Sequence, residues 1–327
     1  MKLAKTFYIA ALVVANMSLI SGAQAQTTET KFPVKPIRII VPFGPGGVAD
    51  LTARTVAQKL SENLKQAVVI ENKPGAGGVV AGNSLLSAEP DGHTLLLISN
   101  GTAVSAGLFK ALPFDALKDF APISTLAFFD LTLITGAQSK FANLADVLSY
   151  AKSSPGKLNI GSINIGSTQN LAAELFKTTA NIEAQVIPYN GTPAVVTALR
   201  SGDVDIAVEI LGPIMGQLNS KAVRSIGVMS EKRSANLPDA PTAKEAGLNL
   251  QVSSWNGIAA HAKTPKAVIA KLNAEIVSAL NNPEVKKRLA DLNVEARPST
   301  PEQAADLLVK ETRRWSEVIS RAKIERQ

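Results

Sequence analysis

Short runs of β-branched and aliphatic residues, each stopped by glycine or proline, alternate along this chain with stretches whose apolar positions recur every three or four residues. Residues 37–41 form one such run, closed by Pro42 and Gly44, and residues 50–64 then place Ala53, Val56, Ala57, Leu60 and Leu64 at helical spacing. The order is strand, loop, helix. It repeats with a strand over 67–71, a glycine loop over 73–78, a helix over 79–88, a Pro90-Asp91-Gly92 turn and a strand over 94–99. In the second half the pattern predicts strands over 157–163, 184–189, 204–209 and 224–229, with helices over 167–178 and 192–201, the latter stopped by Gly202. Such alternation argues for a mostly parallel α/β sheet with helices on its faces.

Toward the C-terminus, Thr264-Pro265 reads as an N-cap and first-turn proline opening a helix to about residue 280. Thr300-Pro301-Glu302-Gln303 is a capping box opening another. Its apolar stripe runs through Leu307, Leu308, Trp315, Val318 and Ile319, interrupted by Glu311. Lys286-Lys287-Arg288 and Arg313-Arg314 read as solvated faces of these packing helices. Two stretches, 121–135 and 250–261, are extended without a turn-helix partner and are expected to cross between lobes.

The N-terminus departs from this pattern. Lys2 and Lys5 precede an apolar run from Phe7 to Ile20, and Ser21-Gly22-Ala23-Gln24-Ala25 ends in an Ala-x-Ala pattern. That is the form of a secretory signal peptide over 1–25, cleaved after Ala25; the run is shorter than the ~20 apolar residues needed to span a bilayer. A soluble, periplasmic product is expected. With 327 residues the chain has material for two domains or lobes. The absence of cysteine removes thiolate nucleophiles, disulfides, thiolate zinc sites and iron–sulfur clusters. A formal charge of +7 suits an anionic small ligand at least as well as a polyanion.

Three glycine-rich loops carry the candidate chemistry. Phe43, Gly44, Pro45, Gly46 and Gly47 end a strand and precede a helix with Asp50 in its first turn. Glycine lets backbone approach a ligand, and a helix start attracts an anion, so the loop is either a carboxylate or phosphate cradle or a plain tight turn. It is neither a P-loop nor a GxGxxG fingerprint. The second loop is Pro74-Gly75-Ala76-Gly77-Gly78, with Val80 breaking the dinucleotide spacing. In the third, Gly166 precedes Ser167, Thr168, Gln169 and Asn170, whose hydroxyls serve as caps or ligand contacts. Tyr189, Asn190, Gly191 and Thr192 enter another helix, Tyr189 either closing over an apolar ligand body or merely packing. Glu209, at a strand end, either faces the ligand, where it favours an amine, hydroxyl or protonated acid, or forms a surface salt bridge.

Searches for catalysis find little. There is no GxSxG or HExxH, and the two histidines read as a turn residue (His93) and an exposed one (His261). No catalytic residue, metal or cofactor is expected; a serine nucleophile with an unrecognised base is the enzyme alternative. Basic residues are dispersed among acids and aromatics are few, which argues against nucleic acid.

A longer series of motifs carries a family resemblance. It comprises Pro36-Ile37-Arg38-Ile39-Ile40-Val41-Pro42-Phe43-Gly44-Pro45-Gly46-Gly47, Glu71-Asn72-Lys73-Pro74-Gly75-Ala76-Gly77-Gly78 and Pro90-Asp91-Gly92-His93-Thr94-Leu95-Leu96. It continues with Leu117-Lys118-Asp119-Phe120-Ala121-Pro122, Tyr150-Ala151-Lys152, Pro155-Gly156-Lys157-Leu158, Lys232-Arg233-Ser234, Leu237-Pro238-Asp239-Ala240-Pro241-Thr242 and Glu245-Ala246-Gly247. Over nearly the whole mature chain the sequence resembles the Bug family of solute receptors, the periplasmic components of tripartite tricarboxylate transporters.

The resemblance implies a two-lobed periplasmic-binding-protein fold, a type II-like Venus flytrap, with lobe 1 from 26–125 and 254–327 and lobe 2 from 126–253. It implies a small carboxylate ligand, such as a di- or tricarboxylate, amino acid or aromatic acid, held by loop backbone and water. Carried over by position, the cleft lining is 43–47, 76–78, Ser99, Asn100, Gly101 and Thr102, 167–170 and 189–191. The implied partners are membrane transport subunits, with the receptor itself a monomer; a ligand sensor for a signalling partner is the other binding alternative. Two positions depart from the family pattern. Glu209-Ile210 stands where members often carry Asp-Asn, and Tyr189-Asn190-Gly191 replaces a frequent Tyr-Lys-Gly.

Overall fold

The computed structural model describes residues 31–75, 78–234, 236–321 and 323–326, so the expected signal peptide lies outside the described residues. Strands β1 (Ile37–Val41), β2 (Val68–Asn72) and β3 (Thr94–Ser99) form a parallel trio with β1 in the centre. Helices α1 (Val48–Leu64) and α2 (Val79–Leu86) connect them. The predicted strand-loop-helix order is therefore the observed one. A further helix, α3 (Asn100–Leu108), starts with no loop after β3, because Ser99 serves as both the last strand residue and the N-cap. Sequence pattern alone did not predict it.

The crossing segments are β4 (Phe120–Gly136) and β9 (Ser253–His261), which run antiparallel to each other. β9 also pairs with β3 and so closes the first sheet. β4 changes partners along its length. Its residues up to Asp130 pair with β9, and those from Leu131 pair with β7 (Ile206–Ile210) and β8 (Val223–Val228). One strand thus belongs to two sheets. Within the first sheet Gly257 lets β9 lie close against β4, since a Cβ there would lie 2.9 Å from the Ser124 carbonyl oxygen.

The second sheet is completed by β5 (Leu158–Ile163) and β6 (Ala184–Tyr189), parallel to each other, with β5 also parallel to β7. Between α4 (Ala116–Asp119) and α5 (Leu144–Ser153) runs β4, and α6 (Thr168–Ala180), α7 (Thr192–Ser201) and α8 (Leu211–Asn219) connect the later strands. α8 escaped prediction because Gly212, Pro213 and Gly216 read as breakers.

Side chains obey the two-residue period of the strands. Ile37, Ile39 and Val41 join one core with Val56, Leu60, Leu95 and Leu97, while Ile40, Leu96 and Ile98 face the opposite core. That second core is continuous into the other sheet through Leu131, Leu133, Ile160, Ile206 and Phe176. The chain ends in α9 (Lys266–Asn281), α10 (Pro283–Asp291), the short strand β10 (Glu295–Ala296) and α11 (Pro301–Arg321). Trp315, Val318 and Ile319 of α11 belong to the shared core, as their spacing predicted.

The Thr300 capping box forms: Gln303 N–H donates to Thr300 Oγ1 at 3.2 Å, and Thr300 N–H donates to Gln303 Oε1 at 3.0 Å. The other expected cap does not. Pro265, with ψ 137°, is itself the N-cap of α9, and its carbonyl accepts from Val268 and Ile269, leaving Thr264 one residue too early to reach the helix.

Candidate functional site

Six helices begin where a strand ends, and their starts converge on a cavity of about 730 Å³. From the first sheet come Phe43, Gly44, Pro45 and Gly47 ahead of α1, Gly78 ahead of α2, and Ser99, Gly101 and Thr102 at α3. Ile165, Gly166, Ser167, Thr168 and Gln169 line the other side at α6, with Asn190, Gly191 and Thr192 at α7 and Ile210 at α8. Phe129, Ser254 and Asn256 of the crossing strands form the floor. No charged side chain lines it among the described residues.

The helix starts differ in what satisfies them. An α-helix leaves its first four N–H groups without intrahelical acceptors. α3 covers its own: Ser99 Oγ accepts from Gly101 N–H at 3.1 Å and Thr102 Oγ1 accepts from Ser99 N–H at 3.2 Å. At α6, Ser167 Oγ accepts from Asn170 N–H at 3.1 Å, leaving the N–H groups of Thr168 and Gln169. The starts of α1, α2, α7 and α8, at Gly47, Gly78, Gly191 and Ile210, have no side-chain cap at all. Gly191 is held at φ 89°, ψ 165°, a region that only glycine adopts readily. Exposed N–H groups and the positive ends of these dipoles suit an anion.

Several predicted residues lie behind the wall instead of on it. Gly46 points its N–H away from the cavity, donating to Asp50 Oδ2 at 2.9 Å. Asp50 is buried under the loop, where it also accepts from Arg54 and Asn72 at 2.9 Å each. Burial pushes its pKa up, but the Arg54, Gly46 and Asn72 bonds outweigh it, so the group sits below the usual carboxylate range. Asp50 therefore braces the loop. Asn170 donates to Ser162 Oγ at 3.1 Å and accepts from Gly166 N–H at 3.3 Å, while Asn100 donates to the Ser253 carbonyl at 3.1 Å. Tyr189 packs, half-buried, against the core under α7, and burial raises its pKa. Ala76 and Gly77 lie outside the described residues.

Glu209 occupies neither of its two expected places. It is fully buried and in no ion pair, so the surface salt bridge is excluded, and it does not line the cavity. Its Oε2 accepts from Thr192 Oγ1 at 3.0 Å and from Gln169 Nε2 at 3.5 Å, and both of those residues do line it. Oε1 has no partner among the described residues. Burial drives the pKa up to about 7, against the opposing bonds from Thr192, Gln169 and the Ile210 backbone.

The sequence reading missed part of the lining. Asn256 of β9 lines the cavity floor and is buried, with its Nδ2 unpartnered among the described residues. An amide set against the apolar run Gly257-Ile258-Ala259-Ala260 of a crossing strand was the available signal. Phe114, Phe120 and Phe129 add apolar wall, and Phe43 and Ile165, 39% and 52% exposed, stand at the two lips. Both histidines lie elsewhere. His93 is buried and accepts from Val34 N–H at 3.2 Å, and His261, half-buried, accepts from Lys263 N–H at 3.0 Å.

Among the described residues no cluster could hold a metal ion, and no helix is long and apolar enough to cross a membrane. A second cavity of about 680 Å³ lies between the end of α6 and α11, lined by Arg314, Glu317 and Arg321. Its charges are mixed, and Arg314 is already bound to the Gln251 carbonyl.

The family model described as the tripartite tricarboxylate transporter family receptor, TctC, matches residues 52–324. A UPF0065 protein from Pseudomonas sp. strain P51 is 36% identical over 301 residues, 91% of this chain and 89% of its own. The solved structure of periplasmic binding protein BugD is similar at a TM-score of 0.80 with 29% identity, covering 90% of this chain and all of that one. MatC from Rhodopseudomonas palustris, solved with bound malate, is similar at a TM-score of 0.79 with 33% identity, covering 88% of this chain and all of that one. On the match of the family model over most of its length and the likeness to these relatives, the chain belongs to the tripartite tricarboxylate transporter receptor family.

Proposed function

We propose that this chain is exported, cleaved after Ala25, and works in the periplasm as a receptor that clamps a small organic carboxylate between two lobes and passes it to membrane transport subunits. The lobes comprise 26–125 with 254–327 and 126–253, and the partner change in β4 between Asp130 and Leu131 supports a hinge close to the first boundary. The observation that carries the reading is the ring of helix starts, four of them uncapped, around a cavity lined by no charged side chain among the described residues.

Each uncapped start offers hydrogen bonds to an anion, and bonds to a charged group contribute about 1.5–3 kcal/mol. Closure then follows as population shift, because the ligand favours the closed form only by the contacts it makes there. Phe43 and Ile165, exposed at facing lips, are the apolar surfaces such closure covers, which favours an acid with an apolar segment.

Binding without turnover is the accompanying reading. Hydroxyls that line the cavity are already engaged: Ser167 Oγ donates to the Ile163 carbonyl at 3.1 Å, Thr168 Oγ1 and Ser254 Oγ lie 3.3 Å apart, and Thr192 Oγ1 donates to the buried Glu209 at 3.0 Å. Neither histidine lines the cavity to serve as a base. A single copy, acting without nucleic acid, completes the proposal. A melting-shift screen of malate, citrate, glutamate, adipate and phenylacetate is expected to find at least one acid that raises the midpoint and compacts the protein in small-angle scattering. Silence across all five, with no acid retained in native mass spectrometry, overturns the reading.

A further inference from the structure

The buried carboxylate behind the cleft is the group that the receptor reading leaves without a task. Glu209, the last residue but one of β7, pairs with Thr132 of β4, and both residues are wholly buried. Its bonding is one-sided. One oxygen holds Thr192, the first residue of α7, and Gln169, in the first turn of α6, while the other holds nothing among the described residues.

Among the described residues no cation answers it. On α6 the charged residues are Glu174 and Lys177, which bind each other at 2.8 Å. On α7 the charged residue is Arg200, in the last turn, far along the helix from Thr192. β5 and α8 carry no ionisable side chain, Asp130 of β4 pairs with Ser253 of β9 and has Ser230, Glu295 and Arg297 as its neighbours, and Arg224 of β8 donates to the carbonyls of Ser139 and Phe141. A carboxylate so placed gains from a proton and has no electrostatic reason to remain charged.

We propose that Glu209 is a positioning residue of the cleft, fixing Gln169 and Thr192 at the starts of α6 and α7, and that capture of a carboxylate draws one proton from solvent onto it. The proposal rests on the carboxylate-receptor reading. An ionised Glu209 turns the Gln169 amide NH₂ toward itself and away from the cavity. A protonated Glu209 donates its O–H to Gln169 Oε1, the amide reverses, and the NH₂ is presented to the ligand. An anion in the cavity also opposes a second negative charge one side chain away. Both effects select the neutral form of Glu209 for the bound state. Affinity therefore rises as pH falls, over a range in which most carboxylic acid ligands are already fully ionised.

Two measurements on the mature protein test this. Carbon-13 NMR of glutamate carboxyls, with Glu209 identified by its loss in Glu209→Gln, is expected to show a carboxyl that titrates near neutral pH. The Gln169 side-chain amide should follow the same midpoint. Calorimetry with malate in buffers of different ionisation heat is expected to show uptake approaching one proton near pH 8 and affinity roughly 10- to 15-fold weaker at pH 8.5 than at pH 7. Glu209→Gln, which keeps the shape and removes the titration, should bind malate with no proton uptake and no such pH dependence. A Glu209 carboxyl that titrates as an ordinary surface glutamate, or a Gln169 amide indifferent to it, overturns the proposal. So does an unchanged pH profile in Glu209→Gln. If malate does not bind at any pH the receptor reading is what suffers, and the NMR titration still decides the role of Glu209.

Discussion

Helix starts on the outside of this molecule are closed by their own side chains, and most of those at the cleft are not. Asp115 caps α4, Asn143 and Asp146 form a box at α5, Asn282 caps α10 and Thr300 with Gln303 closes α11. Around the cleft, α1, α2, α7 and α8 begin at Gly47, Gly78, Gly191 and Ile210, none of which supplies an acceptor. A missing cap costs about 1 kcal/mol. Four open starts at one cavity thus forgo several kcal/mol of helix stability, which a bound anion restores. α9 is the outer exception, its cap position held by Pro265.

The largest effect is expected from giving a cleft helix an outer-type cap. Gly47 has extended backbone, and a Cβ there would find its nearest neighbour at 3.9 Å, so Gly47→Asp fits. It should raise stability by about 1 kcal/mol in denaturant melts. At the same time its carboxylate occupies the donors of α1, and calorimetry should show malate affinity falling on the order of 100-fold, about 2.7 kcal/mol. Unchanged affinity would sink the idea that α1 holds the ligand.

Next comes Gly191→Ala, which forces a side chain into the conformation that sets the α7 start. A loss of about 1–3 kcal/mol is expected in chemical unfolding, with weaker binding as the loop shifts. A smaller effect belongs to Phe43→Ala at the lip. Removal of its ring should weaken an acid with an apolar segment, adipate or phenylacetate, by roughly 5- to 20-fold and leave melting of the free protein nearly unchanged, because the ring is already partly exposed. The smallest is Thr300→Ala, on the outer side of the comparison. About 1 kcal/mol of stability should be lost, with no change in affinity for any acid.

Much of the fold was legible because strands and helices alternate with glycine or proline at each boundary. The spans of β1, β3, β6 and α7 coincide with those expected. Glycine loops likewise pointed to the cleft, since glycine marks the places where backbone itself meets a ligand. Side-chain direction was the hidden part. Asp50 reads as a ligand contact from its place in the first turn of α1, yet Asn72, twenty-two residues away on β2, draws it beneath the loop. Asn256 escaped notice because its neighbours in the cavity come from α3 and α6, which no local pattern links to β9. For Glu209 the strand period separates it from Ile206 and Val208. Periodicity cannot say that the second face of the sheet is also covered, by α7 with its buried Val195 and Leu199.

Because β4 is stitched into both sheets, and the core beneath α11 runs through both, the two halves share part of their interior. Denaturation should accordingly appear as one cooperative event, with the two tryptophans, Trp255 and Trp315, both in that common core, reporting the same midpoint as the backbone signal.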